Sequence, residues 1–310
     1  MIDFSRQVVI VTGAGRGLGR LYARDLAARG ASVVVNDVGG SMKGDGADAS
    51  VAEQVVAEIE ASGGVAVASH DSVATEEGGQ AIVDTAVDSF GRLDAVVSNA
   101  GIFNTLPFDE LTSAEWRRML QVHLDGGFYL SQPAYRIMKA QGYGRFVFIV
   151  SSAGLFGQPN SAHYAAAKAG LMGLANVIAI EGAEHGILAN TVLPFAFTRM
   201  VTETVGRGDE LREQSGFLRS IEPDLVVPIV VYLASRACDF THQNYSACAG
   251  RFARVFVGLA DGWAAEPGRA PTADDIVTHL DDVSATEPFT IPTSIFDEVA
   301  GICARYGITA

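Results

Sequence analysis

The fold class is specified by residues 7–37, which read QVVIVTGAGRGLGRLYARDLAARGASVVVND. A β-branched apolar run, 7–12, leads into a glycine-rich turn, and the stretch 18–29 then has apolar residues at helical spacing. A second apolar run, 32–35, follows this helical pattern. The order strand, crossover helix and strand is typical of a βαβ unit, whose two strands are parallel. We therefore expect the chain to begin with part of a parallel sheet.

The alternation of strand and helix continues along the chain. Thr112 and Glu115 have the capping-box spacing that predicts the start of a long helix, and a later helical pattern carries Tyr164 and Lys168. This alternation predicts an α/β protein with a doubly wound parallel sheet covered on both faces. The further strands are predicted at 65–68, 94–97, 146–150 and 187–193, and the further helices at 50–61 and 76–90.

The elements suggest one sheet domain with an appended tail. We expect the domain to cover residues 1–262 and a C-terminal helical extension to cover 263–310. Residues 39–46 are glycine-rich and are predicted to form a mobile loop. Residues 195–221 form a connection of the length usual for an active-site lid. The extension has two helix-start signals, Thr272 with Asp275 and Ser294 with Asp297.

The composition argues against several classes of protein. The net charge of −14 opposes binding to nucleic acid or to an anionic membrane surface. The apolar runs fall short of the ~20 residues that a membrane span needs, and a strand begins too early for a secretory signal, so we expect a cytoplasmic protein. No metal site is predicted, because the histidines complete no ligand motif with Cys238, Cys248 and Cys303.

A second local pattern predicts acid–base chemistry. Tyr164 and Lys168 are four residues apart and therefore share a helix face, although such a pair alone is common on solvated helices. An ammonium near a phenol favours the phenolate, which predicts a pKa for Tyr164 below the usual value of about 10. Ser151 follows the strand 146–150, and its hydroxyl is expected to face the phenol across a bound carbonyl. These three side chains are the predicted catalytic group.

The turn 12–19 predicts a nucleotide site. Glycines between a strand and a helix let a pyrophosphate approach the helix N-terminus. Asp37, at the end of the second strand, would bind the adenosine ribose and repel a 2′-phosphate, which favours NAD. Arg16 favours NADP, because its charge could pair with that phosphate, but the carboxylate is given the greater weight. Asp71, after the third strand, is a candidate partner for the adenine, with an ordinary loop or capping role as the alternative.

Together these motifs resemble the short-chain dehydrogenase/reductase family over roughly residues 7–260. The resemblance implies a Rossmann-type fold, a nicotinamide cofactor, and a relay role for His123, with a satisfied buried histidine as the alternative. It also implies that Thr198 lies near the nicotinamide amide. The cofactor-binding residues it implies are Gly13, Arg16, Gly17, Leu18, Gly19, Asp37, Asp71, Ser72, Asn99, Ala100, Gly101, Tyr164, Lys168, Pro194 and Thr198.

The sequence departs from the family pattern at two places. Ser98 stands where the family usually has an asparagine before Asn99, and Phe195 and Phe197 stand where small residues are common. The two phenylalanines would reshape the floor of the pocket. Within the family, residues 33–37, 122–124 and 258–263 are similar to the (3R)-hydroxyacyl-CoA dehydrogenase domains of peroxisomal multifunctional enzymes, which makes such a thioester the first candidate substrate.

The sequence is compatible with three functional hypotheses. The first is an NAD-dependent dehydrogenase of a (3R)-hydroxyacyl-CoA, whose phosphates the lid arginines would bind unless they form a solvated helix face. The second is a dehydrogenase of hydroxysteroids or other apolar alcohols. The third is an NAD-binding sensor or scaffold without turnover. The lid arginines are Arg199, Arg207, Arg212 and Arg219, and the aromatic residues that would line an apolar pocket are Phe103, Phe108, Phe195 and Phe197.

The resemblance also implies self-association. Members of the family form dimers or tetramers through their fourth and fifth helices. We therefore expect a homodimer or homotetramer that uses the face around Trp116, Phe128 and Leu171.

Overall fold

The structure, a computed structural model, describes residues 2–198 and 208–308. Its main feature is a sheet of eight strands in the order β3-β2-β1-β4-β5-β6-β7-β8. The strands are β1 (Val8–Thr12), β2 (Ser32–Asn36), β3 (Val65–Ser69), β4 (Ala95–Ser98), β5 (Gly144–Ile149), β6 (Ile187–Phe195), β7 (Gln243–Cys248) and β8 (Arg251–Val255).

The strand order identifies where a ligand can bind. Strands β1 to β7 are parallel to their neighbours, and β1 pairs with both β2 and β4. The chain therefore winds outward from β1 in one direction and from β4 in the other. In such a sheet a crevice opens at the carboxyl ends of the two strands where the direction changes. The predicted Rossmann-type sheet is confirmed, and its crevice lies at Thr12 and Ser98.

The strands form because both faces of the sheet are buried. Every residue of β1 is buried, and Val9 and Val11 share one apolar cluster with Val33 and Val35 of β2. A parallel sheet covered on both faces favours such continuous β-branched runs. Burying one valine side chain stabilises the fold by roughly 1.5–3 kcal/mol. The sheet is thus a rigid platform for the loops at its carboxyl edge.

Helices cover both faces of the sheet. The helices predicted at 50–61 and 76–90 have the predicted bounds. The helices of this unit are α1 (Gly17–Ala28), α2 (Ser50–Ala61), α3 (Glu76–Phe90), α4 (Ser113–Leu120), α5 (Gly126–Gln141), α6 (Ala153–Phe156), α7 (Ala162–Gly182), α8 (Gly208–Gln214), α9 (Gly216–Ser220) and α10 (Val227–Ala234).

The long helix after Thr112 is present but is not uniformly α-helical. The Thr112 hydroxyl accepts a hydrogen bond from the Glu115 backbone N–H at 3.2 Å, as a helix cap. Between α4 and α5, residues Gln121–Asp125 form a π-helical turn. Such turns are rare and are frequent at functional sites. This one carries His123, and periodicity alone did not predict it.

The sequence analysis missed two strands, β7 and β8. Strand β7 contains polar residues, and β8 contains two arginines, Arg251 and Arg254, so neither resembles the apolar runs of the central strands. Only two residues connect them, Ala249 and Gly250, with φ values of 52° and 77°. Two successive positive φ angles are the geometry of a tight hairpin turn, which joins antiparallel strands. The sheet therefore ends in an antiparallel edge strand.

The chain divides into two compact units, Met1–Arg254 and Val255–Ala310. The second unit has capping boxes at Thr272 and Ser294, so both predicted helix starts are confirmed. The domain boundary proposed at residue 262 stays a prediction. The second unit contains β9 (Leu259–Ala260) paired with β10 (Phe289–Thr290), and the helices α11 (Ala273–Thr278), α12 (Leu280–Val283) and α13 (Ile295–Tyr306).

No helix in the part of the chain that the structure describes is long and apolar enough to cross a membrane.

Candidate active site

A cleft of about 510 Å³ lies at the carboxyl edge of the sheet, where the strand order reverses. Every residue that the sequence analysis placed in the site lines this one cleft. They are Gly13, Arg16, Gly17, Leu18, Gly19, Asp37, Asp71, Ser72, Asn99, Ala100, Gly101, His123, Ser151, Tyr164, Lys168, Pro194 and Thr198. The structure thus brings together residues from six strand ends, two helices and the π-helical turn, and their individual roles stay predictions.

The glycine turn after β1 is tightly packed against the start of α1 and the loop after β4. A Cβ on Gly19 would lie 2.1 Å from the carbonyl oxygen of Gly13, and a Cβ on Gly13 would lie 2.8 Å from Cα of Ala100. A Cβ on Gly17, in contrast, would meet only the Thr198 side chain, at 4.0 Å, among the residues that the structure describes. Gly13 and Gly19 are therefore required for the close approach of the turn, α1 and the loop after β4, while Gly17 borders open space.

The start of α1 faces the cleft without a side-chain cap. Arg16 precedes the helix, and its side chain makes no capping hydrogen bond. The first N–H groups of a helix have no intrahelical partner and carry partial positive charge. This end of α1 can therefore accept an anionic group from a ligand in the cleft.

Thr12 and Asn99 connect the ends of β1 and β4. The Thr12 hydroxyl accepts hydrogen bonds from the backbone N–H groups of Asn99, at 3.1 Å, and Ala100, at 3.0 Å. The Asn99 amide donates to the carbonyl oxygens of Thr12, at 2.9 Å, and Gly13, at 3.2 Å. These hydrogen bonds pair backbone groups that would otherwise lack partners at the crevice. Asn99 thus holds the ends of β1 and β4 together at the edge of the cleft.

Asp37 is held beside the glycine turn. One carboxylate oxygen accepts from the backbone N–H of Gly15 at 2.9 Å, and the other accepts from that of Gly39 at 2.7 Å. Asn36 donates from its amide to the carbonyl oxygen of Asp71 at 2.9 Å, which fixes the neighbouring end of β3. The two carboxylates, Asp37 and Asp71, thus stand at one end of the cleft.

Ser151 and Tyr164 lie at the other end of the cleft. Ser151 follows β5 and Tyr164 lies in the first turn of α7, and both line the cleft. The Ser151 hydroxyl accepts a hydrogen bond from the backbone N–H of Ala153 at 3.1 Å. Tyr164 is 7% exposed and packs edge-on against Phe103, with ring centroids 4.9 Å apart. The neighbouring Ser152 lies outside the cleft lining. The catalytic role of Ser151 stays a prediction.

Lys168 is buried one turn further along α7. Its Nζ donates to the carbonyl oxygen of Ile149 at 2.7 Å and lies 5.7 Å from the centroid of the Tyr164 ring. Both side chains point to the same buried region, as their four-residue spacing predicted. Lys168 lies close enough for its charge to act on the phenol.

The pKa values differ from the expectation based on spacing alone. Burial raises the pKa of Tyr164 to about 12, although the nearby Ser151 hydroxyl lowers it in part. Burial also lowers the pKa of Lys168 to about 7. Each group loses hydration, so the charged form of each is disfavoured. The expected lowering of the phenol pKa is therefore wrong for the ligand-free cleft, because the spacing did not reveal how deeply the pair is buried.

His123 lies beside Tyr164 but is not a fully satisfied core histidine. Its Nε2 is 2.8 Å from the carbonyl oxygen of Ile102, and its ring lies edge-on to that of Tyr164 with centroids 5.3 Å apart. Its Nδ1 is buried and has no hydrogen-bond partner in the described part of the chain. Burial, and then the nearby Lys168, lower the pKa of His123 well below its usual range. The imidazole is consequently neutral, with one nitrogen open to a further partner.

The sequence analysis missed a polar chain next to the catalytic residues. His163 is fully buried, and its Nε2 lies 2.9 Å from the amide oxygen of Asn104. The Asn104 amide nitrogen donates to the Glu115 carboxylate at 3.0 Å. This chain ties α7 to the loop after β4 and to α4. The residues are distant in sequence and match no motif, so only their contacts reveal the arrangement.

The aromatic residues proposed for an apolar pocket do not all line it. Phe103 and Phe195 line the cleft, and Phe195 packs against Phe217 with ring centroids 6.0 Å apart. Phe108, in contrast, is 80% exposed on a single 3-10 turn. Phe197 is buried under the guanidinium of Arg212, which lies 4.8 Å from its ring centroid. The apolar wall is therefore smaller than the sequence suggested.

The two lid arginines that the structure describes already have partners. Arg212 forms an ion pair with Glu222, and Arg219 donates to the backbone carbonyl of Glu213. Arg199 and Arg207 lie outside the described residues. The described pair thus supports the structure of the lid, which agrees with the alternative that these charges belong to helix surfaces.

Known proteins resemble this chain over most of its length. The sequence profile of the short chain dehydrogenase family matches residues 7–208. A short-chain type dehydrogenase/reductase of Mycobacterium tuberculosis is 41% identical over 278 residues, which cover 90% of this chain and 94% of that protein. The peroxisomal multifunctional enzyme type 2 of Mus musculus is 45% identical over 249 residues, but these cover 80% of this chain and 32% of the mouse protein.

A solved structure with a bound cofactor is also similar. It is a 7α-hydroxysteroid dehydrogenase complexed with NADH and 7-oxo glycochenodeoxycholic acid, and it matches with a TM-score of 0.72 and 29% sequence identity. The match covers 80% of this chain and 95% of that one. The similarity thus extends from the sequence profile to the arrangement of the sheet and its helices.

Proposed function

The chain belongs to the short-chain dehydrogenase/reductase family, and from this premise we propose that it is an NAD-dependent oxidoreductase that interconverts a secondary alcohol and a ketone. The observation that carries the proposal is that Ser151, Tyr164 and Lys168 line one cleft, with Lys168 Nζ 5.7 Å from the centroid of the Tyr164 ring. A phenol paired with a serine hydroxyl can hold one oxygen of a substrate and exchange a proton with it.

The cleft fits a nicotinamide dinucleotide. Gly17 borders open space at the uncapped start of α1, where a pyrophosphate would be stabilised by the helix N-terminus. Asp37 would hold the ribose of the adenosine half, and Thr198 and Lys168 would hold the nicotinamide half. When bound, the nicotinamide supplies hydride transfer, which no side chain of this cleft can supply.

The side chains supply the proton chemistry. In oxidation Ser151 and Tyr164 hold the substrate hydroxyl, and Tyr164 takes its proton; in reduction Tyr164 returns it. Lys168 in its charged form stabilises the phenolate, which offsets the cost that burial imposes on it. The buried, unpartnered Nδ1 of His123 supports its predicted place in a proton relay. Lys168 would therefore have two roles: it would stabilise the Tyr164 phenolate and would help to hold the nicotinamide half of the cofactor.

Two contacts support NAD over NADP. Asp37 lines the cleft beside the glycine turn, and its carboxylate would repel the 2′-phosphate of an NADP held at that turn. Arg16, the residue that favoured NADP, donates to the carbonyl oxygen of Gly40 at 3.0 Å. Its guanidinium is therefore engaged with the backbone of the next loop, which weakens the case for a phosphate-binding role.

The first candidate substrate is a (3R)-hydroxyacyl-CoA. The resemblance of residues 33–37 and 122–124 to hydroxyacyl-CoA dehydrogenase domains supports it, together with the 45% identity to the mouse multifunctional enzyme. A hydroxysteroid is the second candidate. The apolar side chains of Phe103 and Phe195 in the cleft and the similarity to the 7α-hydroxysteroid dehydrogenase favour it.

The proposal is tested by nicotinamide absorbance with NAD and NADP separately. The panel contains (3R)-hydroxyacyl-CoAs of several chain lengths, their (3S) counterparts, hydroxysteroids and simple secondary alcohols. We expect turnover of the (3R) thioesters with NAD at a kcat/KM at least about tenfold above that with NADP. Turnover of hydroxysteroids alone would favour the second candidate. Binding of NADH without turnover of any alcohol would contradict the enzyme proposal and favour a sensor.

The adjacent serines provide a matched test of the catalytic assignment. Ser151→Ala removes a hydroxyl that lines the cleft with Tyr164 and is proposed to hold the substrate oxygen, and we expect kcat to fall about 10²-fold. Ser152→Ala changes the next residue, which does not line the cleft, and should keep kcat within about twofold. Steady-state kinetics on the preferred substrate measure both. Equal losses in the two variants would show that the effect comes from the loop and not from the Ser151 hydroxyl.

Self-association and a cytoplasmic location stay predictions. Leu171 is 2% exposed, so it belongs to the core and not to the surface proposed for contact between subunits. Phe128 on α5 is 45% exposed, and Val177 and Ile180 on α7 are 51% and 49% exposed. Exposed apolar side chains on these two helices support a homo-oligomer.

A further inference from the structure

The loop after β2, residues 38–48, has a defined path across the cleft. We call it the strap. Its base is closed by a hydrogen bond from the backbone N–H of Asp48 to the carbonyl oxygen of Val38, at 2.9 Å. Its tip, 41–45, is folded on itself, because Ser41 N–H donates to the Asp45 carbonyl at 2.8 Å. The strap thus has internal structure, although its glycines suggested a mobile loop.

The near end of the strap is tied to the cofactor-binding turn. Arg16 donates from its guanidinium to the carbonyl oxygen of Gly40 at 3.0 Å, and Gly39 N–H donates to the Asp37 carboxylate at 2.7 Å. Both tethering side chains line the cleft. Because the two contacts join the strap to residues predicted to bind the dinucleotide, a dinucleotide held by those residues would lie next to the strap.

The tip of the strap is docked on the opposite side. The backbone N–H of Phe103 donates to the carbonyl oxygen of Met42 at 2.9 Å, and the Arg118 guanidinium on α4 forms an ion pair with Asp45. The Met42 side chain packs against the buried cluster that contains Phe103 and Tyr164. The tip therefore rests on the loop after β4, next to the catalytic tyrosine.

The sheet order shows what lies between these two attachments. The strap starts at the end of β2 and its tip lies on the loop after β4, and β1 is the strand between them. The glycine turn follows β1, so a dinucleotide bound there would lie beneath the strap. Gly40, Ser41, Met42 and Gly44 all line the cleft, together with that turn.

From this crossing we propose that the strap closes over the bound dinucleotide and sets its exchange rate, with the tip contacts to Ile102 and Arg118 holding the closed form. The inference rests on the proposed function, because the ligand is the nicotinamide dinucleotide. Arg118 and Asp45 act through the strap and are positioning residues. Opening requires the tip to leave Ile102, Phe103 and Arg118.

Two glycines of the strap give a matched pair of variants. Gly44 and Gly46 have similar positive φ values, 83° and 78°. A Cβ on Gly44 would lie 2.9 Å from Cγ2 of Ile102, whereas a Cβ on Gly46 would have no atom of residues 2–198 or 208–308 within 4 Å. Gly44→Ala and Gly46→Ala therefore place comparable strain on the backbone, and only the first pushes the tip away from its docking surface.

The experiment measures the dissociation rate of NADH by stopped-flow fluorescence, with excess NAD as the chase. We expect Gly44→Ala to release NADH about fivefold faster than Gly46→Ala. Arg118→Glu should release it about threefold faster than wild type, and the double variant Asp45→Lys/Arg118→Glu should return to within about 1.5-fold of wild type. The midpoint of thermal unfolding without ligand should be unchanged in the exposed-charge variants.

The possible results separate the two proposals. Equal NADH dissociation rates for Gly44→Ala and Gly46→Ala would overturn the proposal that the strap closes over the dinucleotide. A double variant Asp45→Lys/Arg118→Glu that fails to reverse the effect of Arg118→Glu would overturn it as well. Wild-type protein that binds neither NADH nor NADPH would overturn the proposed function and the strap with it. The readout is binding alone, so an unidentified alcohol substrate does not affect it.

Discussion

Tyr164→Phe should lower the rate of alcohol oxidation about 10³-fold while NADH affinity stays within about twofold. The phenol oxygen is the group that exchanges a proton with the substrate, and phenylalanine has none. The ring itself keeps its edge-on contacts with Phe103 and His123, so the shape of the cleft is preserved. Steady-state kinetics and NADH fluorescence titration measure the two quantities on the same preparation.

Tyr22→Phe is the matched control. Tyr22 is fully buried in α1, and its hydroxyl has no hydrogen-bond partner among the described residues. Removing that hydroxyl should leave both turnover and affinity unchanged. Substantial turnover in Tyr164→Phe would show that another group carries the proton and would remove the central residue of the proposed mechanism.

Lys168→Met should make the ligand-free protein more stable near pH 7 by about 2–3 kcal/mol, although turnover is lost. Burial lowers the pKa of Lys168 to about 7 from its ordinary value of 10.5. Keeping this amine in the core therefore costs free energy wherever the unfolded chain would protonate it. Methionine has a similar length and no charge, but it leaves the carbonyl oxygen of Ile149 without its hydrogen bond.

The sign of the pH dependence follows from the same shift. Between about pH 7 and 10.5 the unfolded chain binds the Lys168 proton and the folded chain does not, so the free energy of unfolding of the wild type rises with pH by up to about 1.4 kcal/mol per unit. The advantage of Lys168→Met should therefore be largest near neutral pH and should disappear as the pH approaches 10.5.

Urea unfolding of the ligand-free protein at about pH 7 and about pH 10 measures this difference. Lys139→Met, which changes an exposed lysine on α5, is the matched control and should leave the free energy of unfolding unchanged at both values. A Lys168→Met protein that is less stable than wild type at neutral pH would show that the amine is not buried at a cost. A substitution that removes activity and also stabilises the protein is expected where a functional site retains a buried group that lowers the stability of the fold.

Local sequence predicted the elements that build the site. The β-branched run and glycine turn of residues 7–37 require a strand, a tight turn and a helix, because few residues other than glycine can form that turn. The four-residue spacing of Tyr164 and Lys168 places them on one helix face whatever surrounds them. Both inferences depend on interactions between residues near each other in the chain.

Other features depend on contacts between distant residues, and the sequence alone did not predict them. The hydrophobic pattern of residues 243–248 did not predict β7, because this strand is specified by its pairing with β6 and not by a continuous apolar run. Arg212, a candidate phosphate ligand by composition, has Glu222 and Phe197 as its partners. The strap is defined by a contact between distant residues, the hydrogen bond from the Phe103 backbone N–H to the Met42 carbonyl oxygen, which no local sequence pattern predicts.

The sequence by itself determined the parallel sheet, the position of its glycine turn and the identity of the serine, tyrosine and lysine that meet in the cleft. Periodicity and turn chemistry act over a few residues, so they can be read directly from the chain. Tertiary structure alone decided the charge state of the cleft. The pKa values of Tyr164 and Lys168 move apart because folding removes both groups from water, and the extent of that burial depends on packing from the whole molecule.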